Sequence, residues 1–215
     1  MTIVEGMLVR LGNLTQPVLC VDPVQEMLDV AEANKMENIE TLCETAEEFT
    51  KRQIKYDKIL IKGTVHHFPA ENIENIFTGI YNQLNEGGIL LIEKLSGNKV
   101  NFLKLYVHLI FFVQNAGIPF FKRGKEVQLQ VHQGLTEKLV GIFESLKFRK
   151  VEKFAIVCHT SKTKDEAIAH IKNRSASSWA TLTEDEIEDG VKDVQENFGD
   201  IIEYITEMEI IIATK

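Results

Sequence analysis

None of the thirteen glycines in this 215-residue chain stands in a G-x-G pair, and only seventeen residues precede the first strand-like run at Val18. Glycine-rich loops let backbone amides approach a phosphate or cofactor, so the usual cradle ahead of a first helix is not written in this sequence. Cysteine is scarce as well. Cys20, Cys43 and Cys158 are odd in number, widely spaced and without a C-x-x-C. That spacing argues against a zinc or dithiol centre and predicts buried free thiols in a reducing compartment. The longest apolar stretch, Leu105 to Val113, is interrupted by His108 and is well short of the ~20 residues a membrane-spanning helix needs. The start, Met1-Thr2-Ile3-Val4-Glu5-Gly6, lacks the charged-then-apolar pattern of a signal peptide. Basic charge is outnumbered: 24 Lys and Arg stand against 32 Asp and Glu, for a net charge of −8. An acidic surface is repelled by DNA, RNA and anionic membranes. The short basic run Lys122-Arg123-Gly124-Lys125 reads as a solvated loop. These absences predict a cytoplasmic protein without a nucleic-acid partner, a membrane span or a metal site.

What is present is an alternation of short apolar strands and amphipathic helices. Val18–Asp22 reads as a strand that ends in an acid. Pro23 suits the first turn of a helix, because its missing N–H has no helical partner there. Val24, Met27, Leu28 and Ala31 carry helical spacing to about Asn34. Ile39–Cys43 and Tyr56–Lys62 are further strands, with a loop and short helix from Glu44 to Phe49 between them. Pro69–Leu84 is expected as a helix, broken by Asn85-Glu86-Gly87-Gly88, and Ile89–Leu95 as a strand. Gly134–Phe148, Lys164–Lys172 and Glu184–Asn197 are expected as helices, Val151–Thr160 and Ile201–Thr214 as strands, the last with an internal break. Residues 2–11 and Asn101–Ala116 also carry helical spacing, and Trp179 is expected to pack on the sheet. Apolar strands alternating with helices imply a mostly parallel, Rossmann-like α/β sheet covered on both faces. An antiparallel edge strand comes from the C-terminal segment. The whole chain, 1–215, reads as one domain, with 97–133 as an irregular insertion. Within that insertion Phe102, Tyr106, Phe111, Phe112, Phe120 and Phe121 fit either a lid over an apolar substrate or a packed helix with a partner-facing edge.

Two groups of residues carry chemistry. A carboxylate at a strand's C-terminal end, such as Asp22, accepts hydrogen bonds from ribose hydroxyls in open α/β sheets. The same residue type before a helix also serves as a cap. His66 and His67 are adjacent on what reads as an extended loop, which would point them to different sides. They therefore suit the mouth of a pocket, or general-base work, better than one shared metal.

From Val18 onward the order of features resembles the class I methyltransferases that use S-adenosylmethionine, and more narrowly their small-molecule branch. Val21-Asp22-Pro23 with Glu26-Met27-Leu28 is similar to that family's second motif. Glu44-Thr45-Ala46-Glu47-Glu48-Phe49 is similar to its adenine-edge loop. Tyr56-Asp57-Lys58-Ile59, leading to Val65-His66-His67-Phe68, is similar to its fourth-strand motif and loop. Leu84 to Leu90 resembles its turn into the fifth strand. The resemblance implies S-adenosylmethionine as cofactor and a small molecule as methyl acceptor. It assigns Asp22 to the ribose, Pro23 and Met27 to the cofactor site, and Thr45 and Ala46 to the adenine. Lys62, Gly63 and Thr64 fall beside the sulfonium, with His66 and His67 as candidate catalytic groups. Many relatives place an acid where Thr45 stands. The family's first central strand and glycine-rich loop are not found here, so the resemblance implies a member shortened at its N-terminus. Two consequences are expected. The strands Val18–Asp22 and Tyr56–Lys62 would pair directly or leave a gap. The cofactor would bind far more weakly than to a longer form, without appreciable turnover. The competing function is a non-catalytic homologue that binds a protein partner. A nicotinamide-dependent oxidoreductase ranks lower, since it too needs a glycine fingerprint.

Overall fold

The computed structural model describes residues 17–33, 38–95, 134–173 and 182–215. The helices expected at 2–11 and 101–116, the aromatic insertion, the basic run at 122–125 and Trp179 lie outside these residues.

Strand β1 (Val18–Asp22) is followed by helix α1 (Gln25–Ala33), β2 (Ile39–Cys43), the one-turn helix α2 (Ala46–Phe49) and β3 (Tyr56–Lys62). A 3-10 turn, Val65–His67, leads to α3 (Ile73–Gln83) and directly into β4 (Leu84–Leu95). Then come α4 (Leu135–Ser145), β5 (Lys150–Thr163), α5 (Lys164–Lys172), α6 (Glu184–Asn197) and β6 (Ile201–Thr214). Strand β6 runs through without the internal break its composition suggested. Helix α3 begins four residues later than Pro69, because the segment 70–72 is a turn.

The described strands form two sheets. One is β1–β2, parallel, with Asp22 opposite Cys43. The other has the order β3–β4–β6–β5. Strands β3 and β4 are parallel, with Lys62 opposite Glu93. Strand β6 runs against both its neighbours. The Arg149 N–H donates to Thr214 O and the Lys164 N–H to Asp200 O, while the Lys215 N–H donates to Gly88 O at the start of β4. The C-terminal strand is thus antiparallel, one place in from the edge, and β5 is the edge. Strands β1 and β3 do not pair directly; they belong to different sheets.

The described residues divide into two compact units. The first holds those up to Lys94 together with Glu137–Lys153 and Ile210–Lys215. Its core is apolar because β3 and β4 alternate: Ile61, Leu90 and Ile92 are buried. An aromatic ladder supports it. Phe68 meets Phe77 (centroids 6.1 Å), Phe77 meets Phe143 edge-on (5.2 Å), Phe143 meets Phe148 (5.3 Å) and Phe148 meets Tyr81 (4.9 Å). The last three are edge-to-face, and such pairs add about 0.5–1.5 kcal/mol each beyond their area. The second unit, Leu95–Thr136 and Phe154–Glu209, contains α5 and α6. They close over Ile171, Leu182, Ile187, Val191, Val194 and Ile202. Both helices start on a capping box, Thr163 with Glu166 and Thr183 with Glu186. Each box satisfies two N–H groups that have no partner inside the helix.

The thiols depart from expectation. Cys20 is buried, Cys158 half-buried and Cys43 exposed. Cys43 is the last residue of β2, where the sheet's cover ends, and its thiol points at Pro23 O, 3.6 Å away.

Candidate functional site

The residues singled out as cofactor-binding all lie in the first unit: Asp22, Pro23, Thr45, Lys62, Gly63 and Thr64 at the C-terminal end of a parallel strand or in the loop that follows, and Met27 and Ala46 in the first turn of the next helix. That edge is where ligands bind in open α/β sheets.

At the end of β1, Asp22 is half-buried and its Oδ1 accepts the Val24 N–H at 2.9 Å. The carboxylate therefore closes the turn into α1, two residues ahead of the helix's cap position. Its Oδ2 accepts no hydrogen bond among the described residues. Pro23 and Met27 are exposed beside it, as is Val24. An open carboxylate oxygen on a fixed turn fits a ribose hydroxyl as a partner.

The loop after β2 is tied down from several sides. The Thr45 hydroxyl accepts the Glu48 N–H at 3.2 Å, and the Glu48 carboxylate accepts the Thr45 N–H at 3.0 Å. Thr45 is thus the N-cap of α2 in a full capping box. The backbone and hydroxyl of Thr45 hold the Glu48 carboxyl below the usual carboxylate range. Glu44, just before it, is gripped by Arg52 through Nε at 2.8 Å and through Nη2. That hydrogen-bonded guanidinium holds the Glu44 carboxyl below its ordinary range too. Sequence reasoning passed over Arg52 and also Gln83. Gln83 is 2% exposed, and its amide donates to Phe49 O at 2.8 Å and Arg52 O at 3.1 Å. Gly79 completes the clamp, since a Cβ there would lie 2.5 Å from Thr50 Cβ. Ala46, half-buried, is held inside this frame.

At the end of β3, Lys62, Gly63 and Thr64 are half-buried. Gly63 has φ +61°, which glycine adopts freely, and its N–H donates to Glu93 O at 2.8 Å. The chain then makes the 3-10 turn through His66 and His67. On that turn the two rings lie side by side, centroids 4.0 Å apart and tilted by 45°. The expectation that they point to different sides is overturned, because it assumed an extended loop. His66 is half-buried and His67 exposed. Across the register, Lys62 Nζ lies 4.0 Å from Glu93 Oε1. Glu93 lies two residues before the end of β4 and was not singled out from the sequence. The signal available was a base and an acid behind matching apolar runs, Ile-Leu-Ile-Lys and Leu-Leu-Ile-Glu.

Residues 5–88 match the model of a methyltransferase domain family, a span that includes β1 to β3 and all the candidate residues except Glu93. No curated protein sequence matches the chain significantly. Solved structures are similar in fold. A putative methyltransferase from Bacillus halodurans is 18% identical with TM-score 0.53, over 93% of this chain and 83% of its own. The YcgJ protein of Bacillus subtilis is 15% identical with TM-score 0.53, over 99% and 88%. The plantazolicin methyltransferase BamL, solved with a substrate analogue and S-adenosylhomocysteine, is 14% identical with TM-score 0.51, over 98% and 73%. Residues 5–88 therefore resemble a methyltransferase domain, and the chain has the α/β fold of these solved structures.

Proposed function

We infer that the chain binds S-adenosylmethionine along the C-terminal ends of β1, β2 and β3 and directs its methyl group to a small molecule. The observation that carries this reading is the open Oδ2 of Asp22 on a turn already fixed by Oδ1. Such a carboxylate receives a ribose hydroxyl without first having to reorganise. Thr45 contributes position rather than its hydroxyl, which the capping box uses. The clamped loop then presents the Ala46 side to the adenine edge. Gly63 lets the backbone approach the sulfonium end closely, and Lys62, Thr64, His66 and His67 surround the acceptor side. The cofactor supplies an electrophilic methyl on a sulfonium. The protein's task is to align a nucleophile with it and exclude water. The reading places the protein in the cytoplasm, where the cofactor and reduced thiols are found; no helix among the described residues is long and apolar enough to cross a membrane.

Calorimetric titration with S-adenosylhomocysteine tests it. The wild-type chain is expected to bind, and Asp22→Ala to lose about tenfold in affinity, the scale of one charge-assisted hydrogen bond. Equal affinity in the two proteins would remove Asp22 from the site.

A further inference from the structure

The Lys62–Glu93 pair is the least satisfied charge pair of the candidate site. The two residues are register partners on adjacent parallel strands, so their side chains leave the same face of the sheet. Their separation is 4.0 Å, which is beyond hydrogen-bond distance. Neither charged group makes another hydrogen bond or ion pair among the described residues. Both are withdrawn from solvent, with side chains only 16% and 22% exposed. Charges withdrawn this far are normally bonded directly to a partner, because desolvation without hydrogen bonds is unfavourable. The backbone beneath them is fixed by the Gly63 N–H bond to Glu93 O. The face behind them is apolar and partly open: Leu60 is 38% exposed, and Ile89 and Leu91 are half-buried. A fixed anion and cation therefore stand slightly apart, Lys62 at the end of β3 and Glu93 near the end of β4, above an accessible apolar strip.

Resting on the function inferred above, we propose that Lys62 and Glu93 hold the acceptor's hydroxyl at the transferred methyl, with Glu93 taking its proton. A hydroxyl suits both charges at once. Its O–H donates to Glu93, one oxygen lone pair accepts from the Lys62 ammonium, and the second lone pair is left to attack. A neutral amine has a single lone pair and cannot use both groups. In the step, the oxygen forms a bond to the methyl carbon. The sulfur–methyl bond breaks with its electron pair staying on sulfur. The hydroxyl proton passes to a Glu93 oxygen and then to solvent. The apolar strip beside the pair suits the hydrocarbon body of such an acceptor. A cross-strand ion pair that serves only the sheet would need none of this, and the two roles separate by experiment.

Two probes share one nucleoside. S-adenosylhomocysteine is uncharged at the sulfur position, and sinefungin carries a primary ammonium where the methylsulfonium would be. Both are titrated calorimetrically into the full chain and its variants. Glu93→Gln should weaken sinefungin about tenfold relative to S-adenosylhomocysteine, and Lys62→Met should strengthen it about threefold, as expected for single charges at short range. Opposite signs are the signature, because lost folding would weaken both probes together. Glu93→Asp and Lys62→Arg keep the charges and should keep the wild-type ratio. A ratio unmoved by either neutralisation, or moved in the same direction by both, overturns the proposal while leaving the nucleoside site intact. Absence of S-adenosylhomocysteine binding to the wild-type chain would instead overturn the function on which the proposal rests.

Discussion

The Arg52 guanidinium lies across the Glu44 carboxylate, with Nε on one oxygen and Nη2 on the other. This pair closes the loop that carries Thr45 and Ala46, and Gln83 holds Arg52 from behind through its carbonyl oxygen. The planar fork of arginine matches a carboxylate in a way lysine cannot.

Arg52→Ala should therefore loosen the loop proposed to face the adenine without unfolding the chain. Affinity for S-adenosylhomocysteine should fall about threefold to tenfold, with little rescue from Arg52→Lys. The pair is also acid-sensitive. The Glu44 carboxyl is held below its unfolded value, so its contribution is present above that value and is lost as pH falls through the lower, folded one. Melting curves between pH 6 and pH 3 should fall less steeply for Arg52→Ala than for wild type. Parallel curves would show that the pair contributes nothing to stability.

Gly79 is expected to tolerate no side chain. A Cβ there would stand 2.5 Å from Thr50 Cβ and 2.8 Å from Thr50 O. Backbone and a branched carbon cannot give way as a flexible chain end does. Gly79→Ala should destabilise by about 1–3 kcal/mol in denaturant titration, the usual range for overpacking, despite alanine's better helix propensity. A stabilised variant would show that α2 and α3 do not approach this closely.

His170 gives the second unit its own pH dependence. Burial and the nearby Lys162 ammonium push its pKa down from 6.5 to about 4. The unfolded chain takes up this proton near pH 6.5 and the folded chain only near pH 4, so falling pH favours unfolding across that window. Calorimetric melts should show Tm dropping from pH 7 to pH 5, and His170→Gln should flatten the drop. Equal slopes in the two proteins would contradict the assignment.

Much of the fold is legible in the sequence because local signals agree. Tyr56–Lys62 has an apolar, β-branched centre, Ile59-Leu60-Ile61, between a loop and a glycine, and the strand has those bounds. Lys164–Lys172 and Glu184–Asn197 also fall where their periodicity places them, each behind a Thr-x-x-Glu box. The site is legible only in outline. Asp22, Thr45 and Gly63 can be placed at strand ends from pattern, but the use of the Thr45 hydroxyl depends on where α2 starts. The side-by-side placement of His66 and His67 depends on a 3-10 turn that no spacing announces. The Gln83 clamp and the Lys62–Glu93 pair join residues some thirty positions apart. Only the strand register and the packing of α3 bring them together.

The central claim is that a nucleoside cofactor lies along the C-terminal ends of β1, β2 and β3. Titration of the isotopically labelled chain with S-adenosylhomocysteine, followed amide by amide in NMR spectra, tests it most directly. The account predicts saturable shifts at Asp22, Thr45, Ala46 and Gly63, and their loss at Asp22 and its neighbours in Asp22→Ala. Shifts confined to residues 150–215, or no shifts at millimolar ligand, would contradict it.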